Sequence, residues 1–282
     1  MIEVKDLCYV YNNETLFQVL ANDHINFTIS DGDIVGVVGK TGSGKSTLLK
    51  QLAGILKPSY GKILIDGYEP DDLKNKFRVG MVFQYPEHQL FANTVYEDIA
   101  FGPKNLDQKN CEINRVVGEA LNFVGLEDSI LKKSPFELSG GEKRRVAIAG
   151  VIAMEPKILI LDEPTVGLDL KSRKQIISHL KKYHNEKNVT VFMVSHNMND
   201  ISTLCNKVLI LKSGRVKRFC DTFELFFNTE NLEDYGLKLP NIVEIVKELR
   251  LKGHNIDTDV KNVDDLLYEI LKLFGGNIKN VV

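Results

Sequence analysis

Short apolar runs free of charge alternate along most of this chain with stretches whose apolar positions fall three and four apart. The runs Ile34-Val35-Gly36-Val37-Val38, Val79-Gly80-Met81-Val82-Phe83, Ile158-Leu159-Ile160-Leu161 and Val189-Thr190-Val191-Phe192-Met193-Val194 predict strands buried on both faces. Helical spacing follows the first run at Ser46–Ala53 and fills 93–125, with a stop near Phe101-Gly102-Pro103. It resumes after Gly141 and returns from Lys171 to about Tyr183. Strands alternating with helices imply a parallel sheet with right-handed crossovers. Residues 2–11 and Ile25-Asn26-Phe27-Thr28-Ile29 instead alternate apolar and polar, which predicts antiparallel strands with one covered face. Lys62–Ile65 is a further strand closed by Asp66-Gly67.

After Arg215-Val216-Lys217-Arg218-Phe219 the strand pattern stops. Ile242, Val243, Ile245, Val246 and Leu249 make one helical apolar stripe, and Val263, Leu266, Leu267, Ile270, Leu271 and Phe274 make another. A boundary near Leu225 therefore separates an α/β domain at 1–225, helix-rich at about 93–155, from a helical extension at 226–282. Neither an internal repeat nor a low-complexity tract interrupts this order.

Charge changes the picture little. With 36 Lys and Arg against 38 Asp and Glu the formal net charge is -2, and clusters such as Lys143-Arg144-Arg145 are too short for a nucleic-acid-binding arm. Cys8, Cys111, Cys205 and Cys220 lie far apart and form no metal-binding spacing, which fits a reducing compartment. The N-terminus lacks the basic and apolar regions of a signal peptide, and no run approaches the length of a membrane span. Any membrane role is thus expected to come through a partner.

The chemistry begins at Gly39-Lys40-Thr41-Gly42-Ser43-Gly44-Lys45-Ser46-Thr47, between the first buried strand and the first helix. A glycine, four free positions and then Gly-Lys-Ser form a phosphate-binding loop. The glycines let backbone N–H groups close around phosphate oxygens at a helix N-terminus. Lys45 is placed to reach the β- and γ-phosphates, and the Ser46 hydroxyl to ligate Mg²⁺. A strand buried on both faces delivers its last residues to the sheet's carboxyl edge, where Ile158–Leu161 ends in Asp162 and Glu163. Asp162 suits Mg²⁺, and Glu163 suits proton abstraction from a water. Leu138-Ser139-Gly140-Gly141-Glu142 opens a second helix with small residues, a second place for a phosphate. One nucleotide cannot occupy two such loops of one subunit, so two chains are expected to face each other, each offering this segment to ATP held by the other.

Leu138–Glu142 resembles the signature of ATP-binding cassette ATPases, and the remaining motifs follow in that family's order over residues 1–225. The resemblance implies an α/β fold of the ABC nucleotide-binding type: a P-loop NTPase core, an antiparallel β subdomain and an α-helical subdomain, here with a small helical C-terminal extension. It implies that Gln84 contacts Mg²⁺ and the attacking water, that Gly167-Leu168-Asp169 is the D-loop at a dimer interface, and that His196 touches the γ-phosphate. Tyr11 stands where the family places an aromatic that stacks on adenine.

P-loop kinases and GTPases have no use for the signature, ribosome-acting cassette proteins generally carry two cassettes, and DNA-repair relatives insert coiled coils absent between Lys45 and Ser139. A transporter motor remains. The segment Gln84-Tyr85-Pro86-Glu87-His88-Gln89-Leu90-Phe91, with Ser134–Ser139 and Arg144–Gly150, resembles the EcfA/CbiO ATPases of energy-coupling factor transporters, the second ATPase type above all. This resemblance implies an ATPase powering uptake of vitamins or trace metal ions. The implied partners are a sister ATPase in a heterodimer, an EcfT-like membrane coupling subunit and interchangeable substrate-binding S components, with no nucleic acid. Its place would be the cytoplasmic face of the cell membrane, as a peripheral protein. Tyr85–Phe91 would line the coupling groove, Leu90 and Phe91 being exposed until covered. The extension resembles one that helps hold two ATPases together. Lys40, Glu142 and Val166 depart from the subgroup's usual His, Gln and smaller residue.

Overall fold

Nine strands divide between two sheets in the computed structural model, which describes residues 1–72, 78–106, 109–229, 232–258, 260 and 263–273. β1 (Ile2–Tyr11) pairs antiparallel with β2 (Val19–Ile29) on one side and β4 (Tyr60–Ile65) on the other. The larger sheet has the order β5-β6-β7-β3-β8-β9, from β5 (Val79–Val82), β6 (Ile158–Asp162), β7 (Thr190–Val194), β3 (Ile34–Val38), β8 (Lys207–Lys212) and β9 (Arg215–Asp221). All pairings in it are parallel except β8 with β9. Every residue of β3, β6 and β7 is buried, as their unbroken apolar runs require.

The helix α1 (Lys45–Leu52) lies between the sheets. Its Leu48, Leu49 and Leu52 share one core with Ile2, Val4, Ile63 and Ile65 of the small sheet and Val35, Val37, Ile160 and Val194 of the large one. The other face of the large sheet is covered by α2 (Val95–Asn105), α3 (Asn110–Phe123), α4 (Gly140–Ile152), α5 (Leu170–Lys187), α6 (Met198–Leu204) and α7 (Thr222–Asn228). This arrangement fixes both ends of the phosphate loop: its strand sits in mid-sheet and its helix is clamped between layers.

Three details differ from the expectations. Gly102 and Pro103 do not stop a helix: α2 runs to Asn105 with Pro103 inside it. Pro103 forgoes one backbone bond near the helix end, while Gly102 is a packing position, where a Cβ would stand 2.5 Å from Met154 Cγ. β2 begins at Val19 rather than near Ile25, because register shifts between Leu7 and Val10 of β1 break the alternation opposite Asn22–His24. Leu90 is half-buried against the main core, so Phe91, 62% exposed, is the open apolar residue of that pair.

Position 225 falls inside α7, whose Leu225 and Phe226 belong to the main core, as do Leu232, Leu237 and Val243 farther on. A separate cluster of Val246, Ile256, Val260 and Leu266 joins α8 (Asn241–Leu251) to α9 (Val263–Leu273). Ile245, Val263 and Leu267 of the two stripes are exposed, and Phe274 lies outside the described residues. No helix among the described residues is long and apolar enough to cross a membrane.

Candidate nucleotide site

Gly44 turns the chain into α1 with φ 97°, and a Cβ there would stand 2.3 Å from the Ala21 carbonyl oxygen, so only glycine fits. Asn22 Nδ2 donates to the Gly44 carbonyl at 3.2 Å, tying the loop to the small sheet. Lys45 is 7% exposed, and its Nζ donates to the carbonyls of Gly39 at 2.8 Å and Lys40 at 3.0 Å across the loop's mouth. Burial pushes the Lys45 ammonium below its ordinary value, against the pull of Glu163 and Asp162. The Ser43 hydroxyl is buried without a hydrogen-bond partner. Such an orphan donor in a loop of backbone N–H groups fits a phosphate oxygen.

The ends of β6 and β7 bring the acids and the histidine to the same edge. Burial raises the Asp162 carboxyl above its ordinary value, a hydrogen bond with Ser46 opposes this, and the charge of Glu163 adds to it. Glu163 sits just past β6 with φ 54°, a left-handed conformation that costs a non-glycine residue on the order of 1 kcal/mol. Its N–H donates to the Val194 carbonyl at 3.1 Å. So turned, its carboxylate accepts from Gln84 Nε2 at 3.2 Å and stands 3.0 Å from His196 Nε2. Gln84, Glu163 and His196, far apart in sequence, thus form one cluster beside Lys45 and Asp162. The Tyr11 hydroxyl lies 3.2 Å from Thr47 Oγ1, and its ring meets Tyr9 edge-on at 4.8 Å, which seats Tyr11 beside α1.

Leu138–Glu142 is elsewhere. Ser139 caps α4: its oxygen accepts from Glu142 N at 3.4 Å, and Ser139 N and Oγ donate to Glu142 Oε2 at 2.9 and 2.7 Å. Those bonds hold the Glu142 carboxyl below its ordinary value. Gly141 faces Ser172 at the start of α5, which Asp169 caps by accepting from Lys171 N and Ser172 N at 2.9 and 3.0 Å. The segment 138–142 and the phosphate loop share no hydrogen bond among the described residues. A cavity of about 710 Å³ separates Gly39–Thr41 from Val166–Leu168 and is also lined by His196 and Lys238.

Position-by-position reading misses the side chains that hold these loops. Asp200 is buried and accepts from Thr165 Oγ1 at 2.8 Å and from Arg173 Nε and Nη2 at 2.9 Å each, pinning the turn after Glu163 to the helix after His196. Those partners lie 35 and 27 residues away, beyond any linear spacing rule.

A family model described as "ABC transporter" matches residues 22–166, which hold the phosphate loop, Gln84, the signature and the Asp162-Glu163 pair. The chain is 46% identical to the energy-coupling factor transporter ATP-binding protein EcfA2 of Caldanaerobacter subterraneus subsp. tengcongensis, covering 99% of both chains. It is 46% identical to the EcfA2 protein of Clostridioides difficile, covering 98% of both. The chain belongs to the EcfA2 family of energy-coupling factor transporter ATP-binding proteins. Among solved structures, cbiO1 of Clostridium perfringens, described as part of the ABC transporter complex cbiONQ, is similar with TM-score 0.73 and 37% identity, covering 87% of this chain and 98% of that one. The ABC transporter cassette MJ0796, solved as a dimer, is similar with TM-score 0.70 and 31% identity, covering 79% of this chain and 99% of the other. ATP binding, and ATP hydrolysis coupled to transport, come with EcfA2 membership.

Proposed function

We propose that this chain is the second-type ATPase of an energy-coupling factor importer. In this reading ATP closes two cassettes face to face and the closure drives uptake of a vitamin or trace metal ion. The observation that carries it is the clustering of Gln84, Glu163 and His196 beside Lys45 and Asp162, with Leu138–Glu142 held away from that cluster. A single chain brings the base to the phosphates but not the signature, so the opposing chain supplies it. The dimeric MJ0796 cassette supports that arrangement.

Backbone N–H groups of Gly39–Thr47 and the Lys45 ammonium hold the phosphates, and Tyr11 stacks on adenine. Glu163, oriented by Gln84 and His196, accepts a proton from water aligned in line with the γ-phosphate, and His196 contacts that phosphate. Ser46, Gln84 and Asp162 are hard oxygen donors suited to Mg²⁺, and a cation there would offset the burial and the Glu163 charge that lift the Asp162 carboxyl. Bound there, Mg²⁺ supplies positive charge against the phosphate oxygens. Gly167, Leu168 and Asp169 lie along the face that meets the opposing chain.

Of the segment expected to line the coupling groove only Gln89, Leu90 and Phe91 do so, in a groove of about 300 Å³ between α2 and α4 shared with Phe101, Gly102, Gly150 and Met154, while Tyr85, Pro86, Glu87 and His88 lie outside its lining. Phe91 and Phe101 meet edge-on at 4.9 Å and both are exposed. Small residues on the floor and aromatics on the rim suit a helix of the membrane coupling subunit. Residues 226–282 serve as an extension that helps hold this chain to a sister ATPase, at the cytoplasmic face of the membrane. Purification of the tagged chain from native membranes tests the whole reading. A sister ATPase and a membrane coupling subunit should accompany it, whereas ribosomes or DNA, or a different importer class, would overturn it.

A further inference from the structure

Arg144 lies on α4 just past the signature, with its side chain 4% exposed. Its Nε and Nη2 donate to the two carboxylate oxygens of Glu87 at 3.1 and 2.9 Å, and its Nη1 donates to the Val166 carbonyl. Glu87 belongs to the groove loop 85–91. Val166 precedes Gly167 and closes a turn on Glu163, its N–H donating to the Glu163 carbonyl at 3.3 Å. One guanidinium therefore joins the groove loop, the signature helix and the turn that carries Glu163. Apolar residues of similar volume would stabilise the fold as well as a buried ion pair does. A planar fork, by contrast, fixes the direction of several acceptors at once. Neighbouring Arg145 cannot substitute, since its Nη1 donates instead to the Gly125 carbonyl at 3.1 Å.

We propose that Arg144 is a positioning residue that passes displacement of loop 85–91 into the turn bearing Glu163, so that docking and hydrolysis are coupled in both directions. Gln84, immediately before that loop, donates to the Glu163 carboxylate at 3.2 Å, so the segment 84–91 reaches both the carboxylate and the backbone of that turn. The inference rests on the reading of 85–91 as the docking loop and Glu163 as the base.

Hydrogen–deuterium exchange of peptide 84–91 in the intact assembly tests it, with Glu163→Gln used to retain ATP. ATP and Mg²⁺ should slow exchange of that peptide by about threefold or more, and adding Arg144→Lys should erase the response. In chains that keep Glu163, Arg144→Lys should lower kcat about tenfold with KM for ATP changed less than about twofold. Glu87→Gln should give the same loss, and the pair together no more than either alone, because one link is broken in each case. Wild-type kcat and an intact exchange response in Arg144→Lys would overturn the proposal, as would no exchange response to ATP in the parent chain. If Arg144→Lys fails to fold, Glu87→Gln carries the same comparison. Normal turnover in Glu163→Gln would instead sink the reading of the base, independently of Arg144.

Discussion

Replacing Glu163 by Gln removes a charge while keeping the size and shape of the side chain. The wild-type carboxylate faces two groups, Gln84 Nε2 at 3.2 Å and His196 Nε2 at 3.0 Å. A glutamine amide offers one acceptor and one donor, so one of those contacts is retained and the other weakened, a stability cost of about 1 kcal/mol. Glutamine adopts the left-handed backbone no worse than glutamate, so the fold persists. What disappears is the proposed proton acceptor, and loss of a general base lowers turnover by on the order of a hundredfold or more, about 2.7 kcal/mol or more of barrier. ATP binding should hold or tighten, since a negative charge beside the phosphates is gone. Steady-state phosphate release gives kcat, equilibrium binding of a fluorescent ATP analogue gives affinity, and thermal unfolding checks the fold. Turnover within about threefold of wild type in a folded, ATP-binding variant would refute Glu163 as the base.

Lys45→Ala should weaken ATP binding by about a hundredfold or more, since the buried ammonium proposed to hold the phosphates is lost; unchanged affinity in an equilibrium titration would contradict the loop assignment. Burial pushes the Glu87 carboxyl up, but the Arg144 hydrogen bonds outweigh it and the folded-state value lies below the ordinary 4.5. That contribution is fully present above the unfolded value and is lost as pH falls through the folded one. The stability difference between wild type and Glu87→Gln, from denaturant midpoints, should therefore narrow on acidification; a difference that widens would refute the pairing. Phe91→Asp should reduce co-purification of membrane components, read by quantitative mass spectrometry, and undiminished recovery would remove Phe91 from the docking face.

The sequence carries the phosphate loop, the Asp162-Glu163 strand end and the signature because each is contiguous, and contiguity is what local pattern can encode. It misreads Gly102-Pro103, where a close approach to Met154 looks like a helix stop. Between His196 and Arg215 the sequence reading assigns no element, although α6 and β8 occupy most of that span. β8 is an apolar run like the others, but α6 is a short helix without a full stripe. The ties that orient the site, Glu87 to Arg144 and Asp200 to Arg173, join residues 57 and 27 apart and become visible only once the sheet brings its loops together.

In the proposed mechanism one chain cannot complete the hydrolytic site. Specific ATPase activity of the purified ATPase assembly, followed on serial dilution alongside its sedimentation, tests this most directly. Activity per chain should fall in step with the fraction of paired chains once the concentration passes below the dissociation constant. Undiminished activity per chain in a fully monomeric sample would show that a lone chain hydrolyses ATP and that no opposing signature is needed.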